Sequence, residues 1–208
     1  MKLGLFLLTL ILAGSGVQAQ TIGVSTLPGT PGGSVTRNSG GAFAQSFTTD
    51  GSAAAFDLIS ITWKLYASGG SNSGFSLTLM ANSGSNLPGE VLATLSGPTS
   101  LSGYAENVFT ATNVTLAANT RYWFSGTFTS GDGDIAYYYT TGGSTGDWTL
   151  SDTATSGDGT TWFSQPSGSN TIFSVQATSA IPEPASATAL LGVVVLGAVF
   201  TRRRPRVA

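Results

Sequence analysis

Two short runs in this chain set carboxylates between glycines, Ser130-Gly131-Asp132-Gly133-Asp134 and Ser156-Gly157-Asp158-Gly159. Oxygens spaced in this way can face a hard cation such as calcium. The other ligands of an EF-hand loop and its closing Glu are missing, and Asx-type β-turns account for the same residues. Asp147 and Asp152 would complete such a site only if the fold brought them near. A glycosidase needs two carboxyl groups about 5–10 Å apart across a sugar. Glu90 follows the turn Leu87-Pro88-Gly89 and Glu106 stands at the end of a candidate strand, so both read as solvated surface positions. The chain has no histidine and no cysteine. That removes the usual general base, the commonest metal ligand, the thiolate nucleophile and any disulfide. Phosphate loops, dinucleotide fingerprints and nucleophile elbows are also missing. The expectation is a protein that is not an enzyme and holds no metal or other cofactor.

Aromatic side chains are the more suggestive group. Tyr137, Tyr138 and Tyr139 are consecutive, so in a strand they project from both faces. Trp148 and Trp162 stand in sequence rich in Gly, Ser and Thr. Exposed rings stack on sugar faces while neighbouring polar groups meet the hydroxyls. Glycan stacking would fall to Tyr137, Tyr139, Trp148 and Trp162, at least two of this group (Tyr138 included) forming one exposed platform. The competing expectation, and the favoured one, is that these rings fill a core otherwise poor in Leu and Met.

The elements that must position these residues are strands. The 208 residues are 41% apolar and only 9% charged, with 28 glycines and 56 serines and threonines, a composition that favours strands and turns. Alternation marks Ala42–Thr48, Phe75–Leu79 and Thr120–Phe128, the last with Tyr122, Phe124 and Phe128 against Arg121, Trp123 and Thr127. Ile59, Ile61, Trp63 and Leu65 share one predicted face, with Ser60, Thr62 and Lys64 opposite. Val91–Leu95, Tyr104–Phe109, Asp134–Thr140 and Thr171–Ala177 are further candidates. No proline falls inside these segments. Seven to ten short strands and no soluble helix predict an all-β domain over residues 20–180, a single β-sandwich of jelly-roll type. Within that span three basic residues face nine acidic ones, a net charge of −6, which excludes nucleic acid as a partner.

The two ends differ in kind. Residues 1–19 comprise Lys2, the apolar run Leu3–Ala13 and a small-residue finish Val17-Gln18-Ala19. This is the pattern of a signal peptide cut after Ala19. At the other end Ala185–Phe200 is free of charge and is followed by Arg202, Arg203, Arg204 and Arg206. As a helix it spans roughly 24 Å, short of a ~30 Å hydrocarbon core, and it crosses with local thinning and snorkelling arginines. The arginines set that end in the cytoplasm. Pro182-Glu183-Pro184 just before it forms a stiff, extended piece that cannot join the helix.

Pro182-Glu183-Pro184, a short apolar helix and a terminal Arg cluster together resemble the PEP-CTERM sorting signal, here residues 181–208. The resemblance implies recognition and removal of the tail by an exosortase, in bacteria that make exopolysaccharide and biofilm matrix. The segments Gln45–Thr48, Leu58–Ile61, Leu87–Pro98 and Leu116–Phe124 are similar to the choice-of-anchor domains, type R in particular. That family implies a β-rich surface domain and no established reaction. The functional expectation is an exported cell-surface or matrix protein, anchored in the membrane by its C-terminal helix and then processed. Its alternative is a carbohydrate-binding module acting on matrix exopolysaccharide.

Overall fold

Strand-forming runs of Val, Ile, Thr and aromatics between Gly- and Asn-rich turns pair throughout in antiparallel fashion. The computed structural model describes residues 21–37, 40–69, 73–101, 103–128, 134–140, 142–165 and 170–180. The expected signal peptide with its cleavage point Ala19, the expected apolar helix, and Pro182, Glu183, Pro184, Arg202, Arg203 and Arg204 lie outside these residues.

Among the described residues there are fourteen strands and no helix. They are β1 (Thr21–Ser25), β2 (Gly33–Arg37), β3 (Ala42–Thr48), β4 (Ala55–Gly69), β5 (Phe75–Asn82), β6 (Pro88–Leu95) and β7 (Ala105–Thr110). There follow β8 (Thr115–Ala117), β9 (Arg121–Phe128), β10 (Asp134–Thr140), β11 (Thr149–Ser156), β12 (Trp162–Gln165), β13 (Asn170–Thr171) and β14 (Phe173–Ser179). One sheet of eight strands runs β1-β14-β4-β10-β13, with β2 on β10 and with β7 and β8 on β4. The second, of six strands, runs β12-β11-β3-β9-β5-β6. The all-β expectation holds, and the strands are more numerous than the seven to ten expected.

Rings and branched side chains from both sheets meet between them. Trp63 of β4 packs edge-on against Phe124 of β9 with centroids 5.1 Å apart, and Phe43 of β3 lies 6.0 Å from Trp63. Burial of each such side chain contributes about 1.5–3 kcal/mol, and the core is built mainly of them.

Three local expectations need correction. In β4 the pairing with β14 shifts between Gln176 and Ala177, which face Ser60 and Leu58. A bulge therefore sits at Ile59, and it reverses which side chains point inward. Phe56 and Leu58 face the core before it and Ile61, Trp63 and Leu65 after it, while Ile59 is only half-buried and outside the core cluster. Trp123 does not lie on a polar face either. It is fully buried on the outer side of β9 in a second small cluster with Ala44, Met80 and Ala154. Its indole N–H donates to Asn82 Oδ1 at 2.9 Å. Finally, Pro88 opens β6, where the first position of an edge strand tolerates its missing N–H.

Candidate functional site

The aromatic residues singled out for glycan stacking go to different places. Tyr137 points inward from β10 and its ring centroid lies 3.9 Å from that of Phe43. Burial pushes its phenol up to about 12, against the opposing pull of Arg37. Trp148 precedes β11 and stacks on Phe47 at 5.5 Å, with Phe56 meeting it edge-on at 5.1 Å. Its ring occupies the place of a side chain at Gly23, where a Cβ would come within 2.5 Å of the indole. The two residues are 3% and 4% exposed and present no ring face to solvent. Tyr139 is half-buried and lies across its cross-strand partner Gly33, so that a Cβ there would collide with the ring. Trp162 is half-buried on the outer face of the other sheet, against the Trp123 cluster. These four rings form no common platform.

A different aromatic group does face outward. With Leu65 and Tyr137 turned inward, Lys64, Tyr66 and Tyr138 stand on the solvent side of the eight-stranded sheet. Tyr104, just before β7, joins them from the neighbouring strand. Ring centroids are 3.9 Å apart for Tyr104 and Tyr138, 6.0 Å for Tyr66 and Tyr138, and 6.4 Å for Tyr66 and Tyr104. Lys64 Nζ lies 4.7 Å from the centre of the Tyr104 ring, within cation–π range. All three rings remain partly exposed. Burial raises the Tyr104 phenol, with Tyr138 and Glu106 adding to the effect. Tyr66 and Tyr104 were not legible as candidates, because each stands alone in its own segment. Only the register of β4 with β7 and β10 brings them to Tyr138.

Among the described residues the carboxylates are occupied or dispersed, and Asp132 of the first Gly/Asp run lies outside them. Asp158 Oδ1 accepts from the amides of Thr160 and Thr161 at 2.8 and 2.6 Å and from the Ser156 hydroxyl at 2.8 Å. Oδ2 accepts from the Thr161 hydroxyl at 2.9 Å. These bonds hold the carboxyl well below the usual aspartate range and make it the keystone of the β11–β12 turn. Asp152 pairs with Arg121 at 2.8 Å. Glu90 is exposed on the edge strand β6, and Glu106 is exposed on β7 opposite Lys64. No group of three or more acidic residues able to hold a metal occurs among the described residues.

The chain enters and leaves the sandwich side by side. Thr21 of β1 pairs with Ala177 of β14, and the Ala180 amide donates to the Ala55 carbonyl at 3.0 Å. Ala180 is also where a second pattern begins. Residues 180–204 match the PEP-CTERM protein-sorting motif. The match includes Pro182, Glu183, Pro184 and Arg202–Arg204. The sorting motif marks an exported protein whose membrane-anchored precursor is processed by an exosortase. It starts at the last of the described residues bonded into the sheet, so the folded domain and the sorting motif adjoin. No curated protein matches the chain at a significant level.

Proposed function

We propose that the β domain is a non-catalytic component of the cell surface or the extracellular matrix, delivered there by its sorting motif and associated with exopolysaccharide. The observation that carries this reading is the junction at Ala180, where the sorting motif begins at the last sheet hydrogen bond among the described residues. The folded domain is then the cargo itself. The resemblance of its turns and strands to the choice-of-anchor R domains supports the same address. The signal peptide ending at Ala19 and the apolar stretch 185–200 supply the two membrane passages that the route requires.

The test is to alter the motif and leave the domain intact. Pro182→Ala combined with Glu183→Ala, expressed in the producing cells, should leave the protein in the membrane fraction with its tail attached. The unaltered chain should lose the tail and leave that fraction. Equal release of the two would contradict the reading. Hydrolysis of a polysaccharide that disappears in Glu90→Gln or Glu106→Gln would overturn its non-catalytic part.

A further inference from the structure

We infer that Tyr66, Tyr104 and Tyr138, with Lys64, form a binding cradle for a neutral polysaccharide on the outer face of the eight-stranded sheet. The inference rests on the reading of the domain as a surface or matrix component. Three tyrosines on a solvent-facing sheet surface add nothing to the core between the sheets, which Tyr137, Leu65 and Trp63 already fill from the same strands. The rings come from three separate stretches of chain and converge within 3.9–6.4 Å, yet each stays partly exposed. They are mutually tilted, by 51°, 37° and 83°, which makes a shallow cradle and not a flat plate. Such a surface suits the faces of successive sugar rings in a polymer.

Two further observations narrow the occupant. The Tyr104 hydroxyl is shut off from solvent and has no hydrogen-bond partner among the described residues. A sugar hydroxyl therefore cannot reach it, and Tyr104 offers an occupant the exposed part of its ring alone. The charges at the site balance, because Lys64 stands opposite Glu106, while the domain as a whole is acidic. A polyanion would be repelled by that field and an uncharged glycan would not. The placement also favours access to a polymer. Tyr66 lies eleven residues along β4 from Ala55, which holds Ala180. At ~3.3 Å per residue that sets the cradle roughly 35 Å from the end where the membrane tail departs.

The experiment is affinity electrophoresis of the full chain, solubilised in detergent, through gels containing exopolysaccharide from the producing cells. That material is first separated by anion exchange into neutral and acidic fractions. The neutral fraction should retard the protein equally at low and high salt. Tyr66→Ala, Tyr104→Ala and Tyr138→Ala should each weaken retention roughly 5- to 100-fold, the range of stacking on single aromatic rings. Their melting temperatures should stay close to that of the unaltered chain. Tyr104→Phe, which keeps the ring and removes only the buried hydroxyl, should leave retention close to that of the unaltered chain. Lack of retardation in the neutral fraction, or retardation unchanged by the triple alanine variant at an unchanged melting temperature, would overturn the cradle. So would retention confined to the acidic fraction and lost with salt, the signature of a charged partner. The C-terminal mass of the same protein separates the two readings. A processed tail without retention defeats only the cradle, and retention with an intact tail in the producing cells defeats only the sorting route.

Discussion

Trp148 and Trp162 are of one residue type in similar Gly- and Ser-rich surroundings, yet they differ in what they hold together. Trp148 fills the space between Phe47, Phe56 and the backbone of Gly23. Trp162 only half-covers the outer cluster around Trp123. Trp148→Ala should therefore destabilise the domain by about 3–5 kcal/mol. Trp162→Ala should cost clearly less, because Trp162 is only partly buried at the margin of that cluster. Denaturant unfolding of the two variants checks the order, and equal losses would contradict it. The sequence displayed both tryptophans without displaying this difference. Burial at position 148 depends on the absence of a side chain at position 23, more than a hundred residues away. A run of three tyrosines likewise guarantees both faces of a strand, but only pairing decides that Tyr138 meets Tyr66 and Tyr104. The candidate site is for that reason less legible in the chain than the fold.

At the scale of elements, legibility follows side-chain contrast. The predicted spans Ala42–Thr48 and Asp134–Thr140 coincide with β3 and β10, where large apolar residues recur within short runs bounded by turns. β1, β2 and β8 were not among the expected strands, and β11 and β12 fall in the weaker segments around Trp148 and Trp162. Gly33-Ser34-Val35-Thr36-Arg37 and Thr149–Ser156 carry few large apolar residues, and their order comes from partners already in place. The bulge in β4 escapes any alternation rule because it consists of a change in that alternation. Its consequence is measurable. Ile61 is fully buried and Ile59 is not. Ile61→Ala should cost about 2–5 kcal/mol, and Ile59→Ala should stay below about 1 kcal/mol. Equal costs in thermal unfolding would mean that the two isoleucines share the core face and that β4 has no bulge.

The whole molecule joins a folded body to an address. The first and last strands of the folded body lie side by side, with Thr21 of β1 opposite Ala177 of β14. The ectodomain carries a net charge of −6 between residues 20 and 180, while half of all basic residues stand in the last eight positions. Removal of both ends would change the precursor into a soluble acidic domain. Intact-mass measurement of the protein exported by its own cells tests this account most directly. The predicted mass begins at Gln20 and ends close to Pro182-Glu183-Pro184. A mass that includes Met1, or one that retains the arginines through Ala208, would contradict it.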